Sequence, residues 1–230
     1  MLFGALQVYC DDAPRSAAMN MAVDEALLEC AADPTIRFYQ WDHPAISFGY
    51  FGRYGDVASH QERCDLVRRW TGGGIVFHGE DLTYSLVIPQ RTSAFAKSSL
   101  VIYEDVHRAL CDALVANAVT AELVSVAALY ERRNELNPAV NANACFANPV
   151  RADILVEGQK VAGAAQRRSR LGLLQQGSIQ HVELPKGFKD KFAANLSADC
   201  RYQPLNGALL ERAKVIADRK YATPSWLHRR

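Results

Sequence analysis

The chain has 230 residues, enough for one substantial hydrophobic core, so we expect a single domain over residues 1–230. Hydrophobic residues make up 49% of it and charged residues 22%, values that argue against disorder or a fibrous repeat. The formal net charge of +1 gives no reason to expect nucleic acid or a membrane surface as a partner.

The N-terminal residues 1–9 lack a basic segment followed by a long apolar one, and no run of about 18 apolar residues occurs anywhere. We therefore expect a cytoplasmic protein. The cysteines are scattered without a Cys-x-x-Cys pair, so the sequence indicates neither a metal site nor a disulfide framework. They are Cys10, Cys30, Cys64, Cys111, Cys145 and Cys200.

The first elements are predicted from apolar spacing. A strand is expected at residues 6–9, and Ser16 is a suitable N-cap for the helix that follows. Apolar residues in that helix recur at steps of three and four, which predicts a core-facing stripe with acidic residues on its rim. The stripe is Met19, Ala22, Val23, Ala26, Leu27 and Cys30, and the rim is Asp24, Glu25 and Glu29. Two aromatic-rich strands are expected next, at residues 36–41 and 45–50.

A run of three glycines, residues 72–74, follows a basic pair in the middle of the chain. Such a run costs backbone entropy and gives no side chain to a core, so it suits a ligand that lies directly against the main chain. A flexible turn is the alternative. The spacing matches neither a Walker loop nor a dinucleotide fingerprint, so it does not indicate nucleotide binding. Residues 75–78 and 82–89 beyond it predict two paired strands.

A lysine near a β-hairpin is the next candidate. Residues 152–156, a turn at 157–159 and a return strand from Lys160 predict the hairpin. A hairpin lysine is ordinarily solvated. Gly163 and the two alanines after it argue otherwise, because small residues let a ligand or another backbone come close. A lysine beside such a wall could act on a bound carboxyl derivative.

Further helices are predicted at residues 100–119, 187–196 and 208–220. Residues 127–143 are polar and irregular and predict a surface loop that could close over a site.

The motif Arg-Arg-x-Thr-Gly-Gly-Gly-x-Val-x-His (residues 68–78), followed by Asp-Leu-Thr-Tyr-Ser-Leu (81–86), resembles the signature of the biotin/lipoate A/B protein ligase and transferase family. In that family the loop and the next strand wall the acyl-chain pocket. With the predicted elements, the resemblance implies an α/β (α+β) fold, a single domain with a mostly antiparallel mixed sheet and flanking helices. It also implies substrate-binding residues: Arg69, Thr71, Gly72, Gly73, Gly74, His78, Gly163, Ala164 and Ala165.

A second match is similar to the cysteine-dependent octanoyltransferase branch of that family. It comprises Cys-Phe-x-x-Pro (residues 145–149), Gly-x-Lys-Val-Ala-Gly-x-Ala-Gln-x-Arg (158–168) and Leu-Gln-x-Gly-Ser-Ile (174–179). The resemblance implies that Cys145 is the acyl-accepting nucleophile and Lys160 the active-site lysine. These residue types suit the chemistry, because a thiolate is the reactive form of cysteine and a neighbouring ammonium favours it.

Three functions follow as alternatives. The first is transfer of an octanoyl or lipoyl group from an acyl carrier protein, through Cys145, to a lysine of a lipoyl carrier domain, with no cofactor and no metal. The second is an ATP-dependent lipoate-protein ligase, in which ATP and Mg form an acyl-adenylate held by Lys160 and the glycines. The third is a non-catalytic binder of lipoylated proteins.

The C-terminal residues favour the first alternative. The chain stops soon after the helix at 208–220, so we expect no C-terminal accessory domain of the kind that many lipoate ligases carry. Four arginines could face an acidic acceptor domain or simply form a solvated surface: Arg68, Arg69, Arg167 and Arg168.

Overall fold

The computed structural model describes residues 1–116, 119–125 and 150–229. Its strands are β1 (Leu6–Arg15), β2 (Thr35–Trp41), β3 (Ala45–Phe48), β4 (Asp65–Arg68), β5 (Val76–His78), β6 (Leu82–Pro89), β7 (Ala121–Leu123), β8 (Ile154–Val156), β9 (Gln159–Arg168), β10 (Gly172–Ile179) and β11 (Cys200–Tyr202). Its α-helices are α1 (Ala17–Cys30), α2 (Ser99–Val115), α3 (Phe188–Leu196), α4 (Gly207–Ile216) and the single turn α5 (Pro224–Leu227). A π-helical turn, Ala217–Tyr221, extends α4.

The strands form a large mixed sheet and a small one. The large sheet has the order β11-β1-β2-β6-β10-β9-β8-β7, and the small sheet has the order β4-β3-β5. β1 is parallel to β11 and β2, whereas the pairings from β2 onward are antiparallel. The prediction of a mostly antiparallel mixed sheet with flanking helices is confirmed.

Helices cover both faces of the large sheet, and β6 shows why. Leu82, Tyr84, Leu86 and Ile88 alternate along β6 and join an apolar cluster with residues of α2 and α3. Between them, Val87 points the other way, into a cluster with residues of α1 and α4. Because successive strand residues face opposite sides, this alternation with period two buries β6 on both faces.

The predicted pairing of residues 75–78 with 82–89 is wrong. β5 pairs with β3 in the small sheet, while both edges of β6 are taken by β2 and β10 in the large one. Every residue of β6 is buried, which is typical of a central strand between two neighbours. The short turn between the two segments therefore connects two sheets.

The helix α1 begins where the sequence predicts, because the Ser16 side chain accepts a hydrogen bond from the Met19 amide. The prediction that Asp24 lies on the rim of α1 is wrong. Asp24 is fully buried and forms an ion pair with Arg37 of β2, with 2.9 Å between Arg37 Nη1 and Asp24 Oδ1. Helical periodicity locates apolar faces, but it does not reveal a buried charge whose partner is on another element.

The predicted hairpin is present as β8 and β9. Glu157 and Gly158 at its turn have φ angles of 50° and 77°, the pair of positive values that a type I′ turn requires. The predicted surface loop at 127–143 and the Cys145 motif lie outside the described residues. Within the described part of the chain, no helix is long and apolar enough to span a bilayer.

Candidate active site

Lys160 is buried at the start of β9, where the sequence alone favoured a solvated lysine. Its side chain is 4% exposed, and its Nζ lies 2.7 Å from Asp153 Oδ2. Asp153 also accepts hydrogen bonds from the Tyr103 hydroxyl at 2.6 Å and from the Val150 amide at 2.7 Å. A buried charge needs a partner, and this carboxylate supplies one.

Gly163 gives the Lys160 side chain its space. A Cβ atom at this position would lie 2.6 Å from Lys160 Cε and 2.8 Å from Nζ, closer than carbon atoms approach in proteins. The sequence predicts close approach of a ligand or another backbone at this glycine. In the structure, the aliphatic end of Lys160 makes that approach.

A narrow cavity adjoins this glycine on the α1 side of the large sheet. We call it the inner cavity; it measures about 30 Å³, close to the volume of one water molecule. Five predicted substrate-binding residues line it, namely Arg69, His78, Gly163, Ala164 and Ala165. Its other lining residues include Met21, Tyr39, Trp41, Ser47, Val76, Thr83, Gln176 and Ser178.

Arg69 fixes the glycine loop, residues 71–74, beside the inner cavity. Its Nη2 donates hydrogen bonds to the carbonyl oxygens of Gly72 at 3.1 Å and Gly74 at 2.8 Å, and its Nη1 donates to Ser47 Oγ at 2.6 Å. Thr71 is fully buried, and its hydroxyl donates to Gln176 Oε1 at 2.8 Å. The structure thus gives Arg69 and Thr71 bonds that hold the loop in place.

The glycine loop packs tightly against the residue after β3. A Cβ atom on Gly49 would lie 2.1 Å from the Gly73 carbonyl oxygen, so a side chain there is sterically impossible without movement. Gly73 itself has a φ of +87°, and its Cβ would meet the Ala165 methyl at 3.1 Å. The loop therefore lies with its main chain against the main chain of Gly49, whereas the sequence predicted a ligand in contact with these glycines.

His78 is buried between the two sheets and bonded through both ring nitrogens. Nδ1 lies 2.8 Å from Asp81 Oδ2, and Nε2 lies 2.6 Å from Ser47 Oγ. The Trp41 ring stacks on the imidazole with 4.0 Å between centroids. Burial lowers the pKa of His78, and the hydrogen bond to Asp81 only partly opposes this, so the ring is neutral at pH 7.

The predicted basic surface is wrong for Arg68 and Arg69, which are both buried. The Arg68 guanidinium donates to main-chain carbonyls of the 50–52 turn and of the C-terminal segment. Arg167 lies over the rings of Tyr50 and Trp70, and Arg168 donates to two carbonyls near Phe95. Main-chain carbonyls, which carry no sequence signal, are the partners of three of these arginines.

Three residues of the site were missed by reasoning from sequence: Ser47, Asp81 and the positioning role of Asp153. Asp81 and Asp153 are each adjacent to a strand of apolar residues, at the end where the strand begins. That position is a usable signal for a carboxylate facing a site. Ser47 carries no such signal, because a serine in a strand is common.

None of the described cysteines lines the inner cavity. They are Cys10, Cys30, Cys64, Cys111 and Cys200. Burial raises the pKa of the Cys111 and Cys200 thiols, which disfavours the reactive thiolate. Cys145 lies outside the described residues.

The fold and this buried lysine define a known class of catalytic domain. The sequence profile described as the lipoyl protein ligase A/B catalytic domain matches residues 16–184. The chain belongs to this family, and the resemblance inferred from its motifs is confirmed.

Curated relatives with similar sequences carry the name octanoyltransferase LipM. The one from Oceanobacillus iheyensis is 35% identical over 179 residues, which cover 74% of this chain and 62% of the relative. The one from Brevibacillus brevis is 37% identical over 172 residues, covering 71% and 62%. The chain thus spans less than two thirds of these relatives. The one from Halalkalibacterium halodurans is 30% identical over 275 residues, covering 96% and 98%.

Solved structures show the same fold. A T. acidophilum protein with bound lipoic acid has a TM-score of 0.72 at 20% identity, covering 98% of this chain and 99% of that one. A lipoate-protein ligase A bound with ATP has a TM-score of 0.69 at 20% identity, covering 98% of each chain.

Proposed function

We propose that this chain is an acyltransferase that moves an octanoyl or lipoyl group from a carrier thioester, through Cys145, onto a lysine of a lipoyl carrier domain. The observation that carries the proposal is the buried ion pair of Lys160 and Asp153, set against Gly163 in the wall of the inner cavity. The relatives named octanoyltransferase support the choice of reaction.

The reaction has two halves. The Cys145 thiolate attacks the carrier thioester carbonyl, a new C–S bond forms, and the carrier thiolate leaves. The neutral amine of the acceptor lysine then attacks the enzyme thioester, an amide bond forms, and Cys145 leaves as a thiol that carries the proton lost from nitrogen. That proton passes through solvent to the carrier thiolate, which restores the Cys145 thiolate. In both halves the Lys160 ammonium stabilises negative charge that develops on the thioester oxygen or on sulfur.

The contact with Asp153 fixes the position of the Lys160 ammonium. Asp153 is itself held by the Tyr103 hydroxyl and the Val150 amide, so the ammonium is pre-oriented. Groups fixed before the reaction stabilise a transition state without reorganisation, which makes such a site effective.

The walls suggest where the acyl chain lies. Apolar side chains of Met21, Tyr39, Trp41 and Val76 border the inner cavity, with Ala164 and Ala165 opposite. At about 30 Å³ the inner cavity is smaller than an eight-carbon chain, so wall residues move on binding. Met21 is the best suited, because its unbranched side chain has several rotatable bonds.

The remaining residues predicted to bind substrate keep that role in the proposal. Arg69 and Thr71 hold the loop in place. Gly72, Gly73 and Gly74 do not line the inner cavity in this structure, and in the proposal their main chain meets the acyl group after the wall residues have moved. His78 borders the inner cavity. An acyl carrier protein is the proposed donor, and no cofactor is required.

A transfer assay tests the proposal. Purified protein is incubated with an apo lipoyl carrier domain and either octanoyl-acyl carrier protein or free lipoate with Mg-ATP, and the acceptor mass is recorded. We expect octanoylation from the thioester, lost in Cys145→Ser and kept in Cys30→Ser, because Cys30 is exposed and does not line the inner cavity. Product that requires ATP and survives Cys145→Ser would instead indicate a lipoate ligase, and no product from either donor a non-catalytic binder.

A further inference from the structure

Ser47, His78 and Asp81 form a hydrogen-bonded chain at the edge of the inner cavity. Ser47 Oγ lies 2.6 Å from His78 Nε2, and His78 Nδ1 lies 2.8 Å from Asp81 Oδ2. All three side chains are buried. The arrangement has the order hydroxyl, imidazole, carboxylate, in which an imidazole can remove the proton of the hydroxyl.

Neighbouring groups fix which atoms donate in the hydrogen bonds that join Ser47, His78 and Asp81. The Asp81 carboxylate accepts, so the hydrogen on the His78 ring is on Nδ1 and Nε2 is the acceptor. The Arg69 guanidinium donates to Ser47 Oγ at 2.6 Å. The Ser47 hydroxyl hydrogen therefore points to His78 Nε2, and Ser47 keeps one lone pair that can accept another hydrogen.

Asp81 is held as an ionised carboxylate. Besides His78, it accepts hydrogen bonds from the hydroxyls of Thr83 at 2.9 Å and Ser178 at 2.6 Å, and from the Gly79 amide at 3.1 Å. Burial acts to raise the pKa of Asp81, but the bonds to His78, Ser178 and Gly79 outweigh it and lower the pKa. An ionised Asp81 stabilises the imidazolium that forms when His78 takes up a proton.

The three hydrogen-bonded residues and Lys160 lie close to the same part of the large sheet, beside the inner cavity. Thr83, Ser178 and Gly163 are direct partners across β6, β10 and β9, so they share one face of the sheet. Asp81 is bonded to the first two, and Lys160 lies against the third. Strand β10 therefore lies between β6, which Asp81 contacts through Thr83, and β9, which carries Lys160.

His78 also borders a wider cleft of about 940 Å³ on its other side. The lining of this cleft includes Phe77, Asp81 and residues 179–182. Ser47 and His78 thus lie at the wall of the inner cavity, on the side of the proposed acyl group, while His78 and Asp81 border a space through which a proton can pass to solvent.

The proposed acyl transfer needs such a base. An acceptor lysine has a pKa of about 10.4 and is an ammonium at neutral pH, which cannot attack a thioester. Lys160 Nζ already lies 2.7 Å from Asp153 Oδ2, so another group is needed close to the acceptor amine. We propose that Ser47, His78 and Asp81 are a proton relay that deprotonates the acceptor lysine, an inference that rests on the proposed function.

The proton balance is as follows. The acceptor ammonium gives a proton to Ser47 Oγ while the Ser47 hydroxyl proton passes to His78 Nε2. The neutral amine attacks the thioester carbon, the C–N bond forms, the C–S bond breaks, and a proton from nitrogen passes to the departing sulfur. The imidazolium releases its proton to the cleft, so each turnover yields an amide, a thiol and one proton.

Two acceptors separate the relay from a structural role. Octanoyl transfer is measured to the apo lipoyl carrier domain and to hydroxylamine, which is already neutral at pH 7. In Ser47→Ala and His78→Gln we expect transfer to lysine to fall about 100-fold or more, the usual contribution of a general base. Transfer to hydroxylamine, which also reports any change in how these two wall residues hold the acyl group, should fall at least about tenfold less than transfer to lysine, because a neutral nucleophile needs no general base.

The dependence of lysine transfer on pH also distinguishes the relay from a structural role. The charged groups that face the imidazole are the Asp81 carboxylate and the Arg69 guanidinium, and Trp41 covers the ring. Lysine transfer by the unaltered protein should level off above the His78 pKa. In His78→Gln it should keep rising with pH toward the pKa of the free amine, so the deficit shrinks in alkaline buffer.

His43→Gln is the matched control. His43 also pairs with an aspartate, Asp42, but its side chain is 73% exposed, and neither reaction should change. Equal loss of both reactions in His78→Gln, or no loss in either, would overturn the relay. Absence of octanoyl transfer to either acceptor by the unaltered protein would overturn the proposed function instead.

Discussion

Two buried cations, Arg37 and Lys160, are held by carboxylates in the same molecule, and they have different uses. Arg37 is fully buried between β2 and α1. Its five N–H groups match five acceptor contacts: two with Asp11, one with Asp24, and two with the carbonyl and side-chain oxygens of Asn20. With its donors satisfied by scaffold residues, this guanidinium joins β1, α1 and β2.

Lys160 has a different surrounding. Its ammonium pairs with Asp153 and lies against Gly163, a residue of the inner cavity wall. Neither Lys160 nor Arg37 is itself in the lining of that cavity, but the Lys160 side chain fills the space that a Cβ atom on the wall residue Gly163 would take. A buried ion pair by itself thus says little about function; its position relative to an open space distinguishes a site from a scaffold.

Replacing the lysine should have the largest effect on activity. In Lys160→Met we expect octanoyl transfer to fall about a thousandfold, because the charge that stabilises the reacting thioester is gone. Lys214→Met, a lysine at the surface paired with Glu211, serves as control and should keep full activity. Normal turnover in Lys160→Met would remove this lysine from the site.

Replacing the arginine should act on stability. Arg37→Met leaves Asp11 and Asp24 buried without their cation, and we expect the free energy of unfolding in urea to drop by about 3–5 kcal/mol. Arg212→Met, which breaks an exposed pair with Glu29, should cost less than about 1 kcal/mol. A stable Arg37→Met protein with no activity would contradict the division between scaffold and site.

The scaffold on the Lys160 side should respond to pH through His107. This histidine is fully buried on α2, its Nδ1 donates to the carbonyl of Ala152, and burial lowers its pKa to about 4. The unfolded chain then binds a proton that the folded one does not, between about pH 6.5 and pH 4. Stability should fall by roughly 3 kcal/mol as pH drops through that window, because each pH unit is worth about 1.4 kcal/mol.

Denaturation of His107→Gln at several pH values checks this assignment. We expect a flatter dependence on pH than in the unaltered protein, since the proton-binding difference at this position is removed. An unchanged slope would assign the effect to other groups.

A single methyl group at Gly163 should have the smallest effect of the set. Gly163→Ala places a Cβ where Lys160 Cε lies, so the ammonium is displaced rather than lost, and we expect a drop in octanoyl transfer of about tenfold to a hundredfold. Gly55→Ala is the control, because its Cβ would meet no atom within 4 Å. Equal activity in both variants would show that the position of the ammonium is not critical.

More of the fold than of the candidate site could be predicted from the sequence. Period-two alternation in β6 and the Glu157-Gly158 turn depend on local chemistry, which a sequence displays directly. The burial of Asp24 and the separation of β5 from β6 depend on partners far along the chain. Local patterns cannot assign those partners.

The candidate site likewise contains residues that a local motif predicts and residues that depend on distant partners. The motif around residues 68–78 led to Arg69 and His78, and both line the inner cavity. Ser47, which joins them, comes from another strand and matters only because β3 and β5 pair in three dimensions. Thr71 was predicted to bind substrate, yet its hydroxyl is bonded to Gln176 of β10, a contact that no local pattern indicates.

Trapping the acyl-enzyme tests the central claim most directly. Protein is mixed with octanoyl-acyl carrier protein in the absence of acceptor and ATP, quenched in acid, and its intact and peptide masses are recorded. We expect one octanoyl group, released by hydroxylamine and located on Cys145, and chased to the lysine of an added apo lipoyl carrier domain. An unmodified protein that still octanoylates the acceptor, or an octanoyl group on another residue, would contradict covalent transfer through Cys145.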